Sequence, residues 1–310
     1  MHNLLISIKK FIWELTFGNI YRYRYWRTLS IRKKLHVLNS IDTVQYIIKN
    51  NSSVARFGDG EFQMITHYKN HDIADNFHVD SFQPYSSDLA CRLLEVFSTV
   101  LPNLLVCIPY AFKDSSVQKG YQRIFFEREW LLRKEDILNE SSSNRIMGDA
   151  CFTRFYFGRK DIADYCLYVK LLKKIWNRKK LLIVEGEQSR LGIGNDLFDN
   201  ALEIHRILCP AVDAFAKYDQ IFSAVQKITK DTLVLIALGH TATVLAYDLS
   251  IRGYQAIDIG HLDIEYEWMR MRAKRKMAVP NKYVNECNEG RIDTSLDDPV
   301  YLSQIIERIR

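Results

Sequence analysis

Arg56-Phe57-Gly58-Asp59-Gly60-Glu61-Phe62 follows directly on the short apolar run Ser53-Val54-Ala55 and sets two carboxylates at i and i+2 between glycines. On an extended backbone alternate side chains share a face, so Asp59 and Glu61 would point at one spot. Gly58 and Gly60 carry no Cβ atoms to hold a bulky anion away from that backbone. Two convergent carboxylates suit a hard cation such as Mg²⁺ or Mn²⁺, which keeps some water and takes further ligands from substrate phosphates. The same residues equally describe a strand-to-helix turn with an N-cap and an acidic first turn.

Outward from this stretch the chain alternates helical and strand-like periods. Apolar spacing predicts helices over residues 41–49, 87–100, 117–134 and 161–177, and strands at 53–57, 104–108 and near 145–148. The strongest strand signals are 180–184, 206–209, 232–238 and 255–259, with helices expected over 196–204, 219–229 and 241–252 and a last helix over 298–309. Asn139-Glu-Ser-Ser-Ser-Asn144 has loop composition. Short apolar strands separated by helices imply an α/β fold with a mostly parallel sheet covered by helices on both faces. Ligands of such sheets bind outside the carboxyl ends of the strands.

Polar clusters fall just after several of these strands. Glu185-Gly-Glu-Gln-Ser-Arg190-Leu-Gly192-Ile-Gly194-Asn195-Asp196 precedes the helix expected near Asp196, so Gly192 and Gly194 could bring backbone N–H groups to a diphosphate clamped by Arg190. A plain glycine turn capped by Asp196 explains the spacing as well, and the third glycine of the dinucleotide fingerprint is missing. Gly239-His240-Thr241 opens another helix, with His240 as a capping or buried histidine or as part of an anion site. Gly260-His261-Leu262-Asp263-Ile264-Glu265-Tyr266-Glu267 places four ionisable groups at alternate positions, along a wet face or around a reaction centre. There His261 suits a metal or a phosphate, and a carboxylate such as Glu267 suits deprotonation of a hydroxyl. Arg270, Arg272, Lys274, Arg275 and Lys276 form a basic run suited to phosphate or to a solvated helix face.

With 310 residues, 47% apolar and 26% charged, the composition is that of an ordinary globular protein. The net charge of +6 is concentrated at one end, since residues 1–36 hold eight Lys/Arg against the single acid Glu14. The body is close to neutral, which argues against a nucleic-acid partner. Cys91, Cys107, Cys151, Cys166, Cys209 and Cys287 form no C-x-x-C pair, so reduced thiols in the cytoplasm fit better than a zinc site or disulfide framework. No apolar run reaches the roughly 18 residues of a membrane span, and the N-terminus has no secretory pattern.

Residues 3–17 carry apolar side chains at helical spacing, followed by Tyr21-Arg22-Tyr23-Arg24-Tyr25-Trp26-Arg27. This suits a peripheral helix at the inner face of a membrane, with Trp13, Tyr21, Tyr23, Tyr25 and Trp26 at headgroup level, or a helix packed on the protein body. Residues 1–38 are therefore set apart as a basic-aromatic extension of a domain over 39–310.

Taken in order, the motifs resemble a known family. Arg-Phe-Gly-Asp-Gly-Glu, Gly148-Asp149-Ala150 with Thr153-Arg154, Glu-Gly-Glu-Gln-Ser-Arg with Gly-Ile-Gly-Asn-Asp-Leu-Phe, Leu-Gly-His-Thr-Ala-Thr-Val, and Gly-His-Leu-Asp-Ile-Glu-Tyr-Glu-Trp look like those of the GT-D-fold glycosyltransferases, bacterial sugar transferases. The resemblance runs from about residue 40 to about 280, with His240 standing where that motif has proline. It implies a Rossmann-like fold, a UDP-linked donor sugar and a divalent metal, Mn²⁺ or Mg²⁺. Asp59 and Glu61 match the metal motif, His261 the sugar-nucleotide site and Glu267 the catalytic base. Arg56, Gly58, Gly60, Arg190, Gly192, Gly194, Asn195 and Asp196 would join His261 in donor binding. The implied reaction moves a hexose, glucose or galactose, to a hydroxyl of a lipid-linked or protein-linked glycan. A metal-dependent phosphohydrolase and a non-catalytic nucleotide-sugar-binding protein are the competing classes.

Overall fold

Eight short runs rich in Val, Ile and Leu pair into one all-parallel sheet. They are β1 Ser53–Arg56, β2 Leu104–Ile108, β3 Gly148–Asp149, β4 Lys180–Gly186, β5 Glu203–Cys209, β6 Leu233–Ala237, β7 Gln255–Asp258 and β8 Ile305–Arg308. Across the sheet the order is β3-β2-β1-β7-β6-β4-β5-β8. The structure, a computed structural model, describes residues 18–70, 82–140, 145–284, 286–287 and 298–310. The helix expected over 3–17, with Trp13, lies outside them.

The helices are α1 (residues 18–26), α2 Leu29–Arg32, α3 Ser40–Asn50, α4 Asp59–Asn70, α5 Ser87–Ser98, α6 Gly120–Glu140, α7 Tyr165–Lys173, α8 Tyr218–Val225, α9 His240–Ile251, α10 Leu262–Arg270 and α11 Pro299–Gln304. Strand side chains alternate between two layers. Val54, Leu105, Leu181, Ile183, Leu235 and Ile257 pack with α3, α7 and α10. Ala55, Val106 and Ile108 pack with α4, α5 and α6, and Leu182, Val184, Val234 and Ile236 pack with α8 and α9. Burial on both faces is why these strands are continuously apolar instead of alternating.

Two expectations need correction. No helix covers 196–204; turns run to β5, because Gly192 and Gly194 have positive φ (77° and 76°) and nearby carbonyls are taken by side chains. Lys173 Nζ donates to the Asp196 carbonyl (2.6 Å) and Trp176 Nε1 to that of Leu197 (3.0 Å). The final segment is a short helix followed by edge strand β8, not one helix over 298–309. Of the two readings of the basic-aromatic extension, its described part shows packing on the body. Leu35 and Val37 join the α4–α6 layer, and Tyr25 is 5% exposed, with its hydroxyl donating to the Ala111 and Phe112 carbonyls, so it does not sit at headgroup level.

The chain runs from β1 outward to β3, then returns on the other side, so strand order reverses between β1 and β7. That joint has one backbone pairing, Val54 with Ile257. Side chains reinforce it at both ends. Ser53 Oγ donates to the Tyr254 carbonyl (3.1 Å) and accepts from Ala256 N–H (3.0 Å), and Arg56 reaches Asp258 at 2.8 Å.

On the far side of the sheet, Glu185 of β4 is fully buried, pairs with Arg206 of β5 at 2.6 Å and accepts from Leu191 N–H (2.7 Å). Arg206 also donates to Gln304 (2.8 Å) and lies 5.0 Å from the centre of the Tyr301 ring, fixing α11. Removing one partner of a buried pair strands the other charge, so Glu185→Ala should lose about 3–5 kcal/mol of stability in urea denaturation, whereas Glu185→Leu with Arg206→Met should lose much less.

Candidate active site

The end of β1 turns at Gly58 into α4. Glu61 Oε2 accepts from Gly58 N–H at 2.7 Å, the return half of a capping box, so Asp59 and Glu61 occupy the first turn of a helix. Of the two readings of this stretch, the strand-to-helix turn with an acidic first turn is the one formed. The helix N-terminus itself favours negative charge at these positions, and both residues line a cavity of about 850 Å³ that spans the carboxyl ends of β1, β7, β6 and β4.

At the end of β7, Arg56 donates to Asp258 Oδ1, to Thr153 Oγ1 (2.9 Å) and to the Ala150 carbonyl (3.2 Å). Gly260 is required beside it, since its φ is +44° and a Cβ would fall 1.9 Å from the Arg56 guanidinium. Burial pushes the Asp258 carboxyl up against the opposing pull of Arg56. His261 follows, and Arg154 approaches its Nδ1 at 3.1 Å. A guanidinium can only donate, so Nδ1 accepts and the neutral ring carries its proton on Nε2. After β6, His240 is 3% exposed, stacks on Phe82 and places Nε2 3.9 Å from Glu61 Oε1.

A strap over residues 273–284, continued by Glu286 and Cys287, crosses the same edge. Arg154 pairs with Glu286 at 2.5 Å and Lys276 with Glu286 at 2.7 Å, and all three line the cavity. Glu265 accepts from the N–H groups of Tyr156 (2.8 Å) and Phe157 (3.3 Å), and burial raises its carboxyl despite Arg154. From α6, Glu129 also faces the cavity; burial raises it, Arg133 opposes this, and Asp59 adds to it.

Of the residues expected at the site, Arg56, Gly58, Asp59, Gly60, Glu61 and His261 meet in this cavity. Arg190, Gly192, Gly194, Asn195, Asp196 and Glu267 are not among its lining and serve the strap and its footing instead. Arg190 donates to the Asn281 carbonyl (2.8 Å). Gly192 N–H donates to Asp263 (2.9 Å), and its missing Cβ makes room for the Phe198 ring. The Arg270 guanidinium takes the Gly194 carbonyl (3.0 Å). Asn195 donates to Asp263 (2.7 Å) and Glu267 (2.6 Å), while the buried Lys282 ammonium lies 2.5 Å from Asp263 and 3.4 Å from Glu267. Asp196 accepts from Tyr266 (2.5 Å) and pairs with Lys173 (3.1 Å). Glu267 is thus committed to Asn195, Lys282 and Arg270.

The structure adds Asp258, Arg154, Lys276 and Glu286 to the cavity. A charged residue inside the apolar run Ala256-Ile257-Asp258-Ile259 was a usable sequence signal for the first; Glu286 had none. Among the described residues no three His, Cys, Asp or Glu side chains gather as a metal group. Asp59 and Glu61 still offer hard oxygen donors, and the Asp59 carboxylate makes no hydrogen bond or ion pair with any described residue. That pair fits a cation that completes its shell with water and phosphate.

A polar cavity across the carboxyl ends of a parallel sheet, at the reversal of strand order, is the ligand site of a doubly wound α/β protein. The family profile described as glycosyltransferase GT-D fold matches residues 54–287. Glycosyltransferase GlyD of Streptococcus pneumoniae serotype 4 is 37% identical over 269 residues, which is 86% of this chain and 32% of the relative. The probable glycosyl transferase Gly of Streptococcus gordonii is 34% identical over 278 residues, 89% of this chain and 39% of the relative. The chain therefore spans about a third of the length of these curated relatives. A solved structure described as the highly conserved domain of unknown function 1792 with a distinct glycosyltransferase fold has a TM-score of 0.83 at 37% identity, covering 92% of this chain and all of that one. A glycosyltransferase of the same domain class from Streptococcus sanguinis gives 0.80 at 34% identity, covering 89% of this chain and all of that one. The chain belongs to the GT-D-fold glycosyltransferase family.

Burial alone would raise the Glu286 carboxyl, but Arg154 and Lys276 outweigh it and hold the group well below its ordinary 4.5. Its pairing therefore stabilises the fold above that value and is lost as pH falls, because the unfolded chain takes up the proton first. The difference in Tm between wild type and Glu286→Gln should stay constant above about pH 5.5 and shrink as pH drops below about 4.5. A difference unchanged down to pH 3.5 would contradict the assignment.

Proposed function

We propose that the chain transfers a hexose, glucose or galactose, from a UDP-linked donor to a hydroxyl of a glycan acceptor. The observation that supports this most is the meeting of the Asp59/Glu61 pair with Arg154, Lys276 and His261 in one cavity of a GT-D-family fold. Asp59 and Glu61 would hold Mn²⁺ or Mg²⁺, which when bound neutralises charge on the departing diphosphate. Arg154 and Lys276 bring fixed positive charge to the same volume, with His261 lining it beside them. Gly58 and Gly60 leave the backbone open to the donor, and Arg56 keeps the floor of the site closed by holding Asp258 to β1.

Glu267 is not carried forward as the base, because its carboxylate is engaged away from the cavity. We assign the acceptor proton to Asp258, which lines the cavity and whose Oδ2 has no partner among the described residues. Lys282, Asn195 and Glu267 then act as positioning residues that keep the strap over the donor.

Transfer from UDP-glucose and UDP-galactose in Mn²⁺, with and without chelator, tests the proposal. Chelation, Asp59→Ala and Glu61→Ala should each abolish turnover, and Asp258→Asn should lower kcat by about 10²–10⁴-fold. Glu267→Gln should retain kcat within about tenfold and lower Tm, having lost one acceptor of a buried cluster. Full turnover in chelator would dismiss the metal, and an inactive but fully stable Glu267→Gln would return the base to that residue.

A further inference from the structure

A second cavity, of about 730 Å³, lies between α1, α2 and the segment leading into α6. It adjoins the first along a common wall: Tyr110 and Arg123 face it, while Pro109, Phe112 and Gln122 face the first. Five basic side chains line it, against the single acid Asp114. Two of them are built in. Arg32 is 5% exposed, donates to Thr28 Oγ1 (3.1 Å) and Tyr25 (2.8 Å), and lies 3.6 Å over the Tyr25 ring; Arg123 is held by buried Glu127 at 2.9 Å. Lys33 of the α2 C-terminus and half-buried Lys113 differ, since their ammonium groups make no hydrogen bond or ion pair with any described residue. Beside them Tyr23 and Trp26 stack at 6.2 Å with 59% and 63% of their surfaces exposed.

Cations that outnumber the acids around a concave site are stabilised by an anion, and a site that also offers aromatic faces suits an anion carrying apolar or sugar surface. We propose that this cavity binds the phosphate of a phosphate-linked acceptor, with Lys33 and Lys113 as its principal contacts and Tyr23 and Trp26 flanking the group attached to it. The acceptor's hydroxyl would then reach the first cavity over the wall between Tyr110 and Arg123. This rests on the first cavity being the site of sugar transfer, and it makes the basic-aromatic extension part of acceptor recognition.

Equilibrium binding of dodecyl phosphate, below its micelle concentration, and of glucose 1-phosphate to the full chain tests the site. Affinity should fall at least about tenfold in Lys33→Glu/Lys113→Glu. Tm and the affinity for UDP in Mn²⁺ should remain unchanged, so a failure of the donor reading would show separately as absent UDP binding in wild type. Preference for dodecyl phosphate assigns a lipid-linked source, and preference for glucose 1-phosphate a soluble phosphoglycan; either supports the site. Binding of neither, or binding equal in wild type and the double variant, would overturn it.

Discussion

The joint between β1 and β7 is the constraint on which the site depends. Two halves of a sheet meet there through one backbone pairing, and the ladder would part easily without Ser53 at one end and the Arg56–Asp258 pair at the other. The second of these lies directly beneath the cavity. The contact that closes the sheet also sets where α4 and α10 begin, and so where Asp59, Glu61 and His261 point. Gly260 belongs to the same constraint, since any side chain there would displace Arg56.

A second device holds the roof. Asp263 and Glu267 on α10 face Lys282 on the strap, with Asn195 and Gly192 N–H completing the carboxylates' hydrogen bonds. Charges buried this way cost desolvation energy and are sustained only because each has a fixed partner. In return the strap, which carries Lys276 and Glu286 into the cavity, is tied to the turn after β4. Val279 and Val284 pack with Trp268 under it, so the anchoring is apolar as well as ionic.

Much of the fold was legible because strand burial on both faces leaves uninterrupted apolar runs. Lys180–Val184 and Leu104–Ile108 were found at their observed positions for that reason. The helix expected over 196–204 was not formed because its pattern is local, whereas the carbonyls of Asp196 and Leu197 are claimed by Lys173 and Trp176 from a different element. Edge strand β8 is short and half-exposed, with burial alternating along it, so its composition carries little strand signal. At the site, the acidic turn and His261 could be read from residues next to strand ends. The alternation of Asp263, Glu265 and Glu267 could not reveal which would face the cavity, because α10 turns them through different directions and Lys282, far along the chain, decides where two of them bind.

The claim that the ends of β1 and β7 build one donor site is tested most directly by a crystal structure with UDP and Mn²⁺ bound. The account predicts an anomalous Mn²⁺ peak at Asp59 and Glu61, with the diphosphate between it and His261. Mn²⁺ and UDP seated instead at the Gly192–Asp196 turn would contradict it.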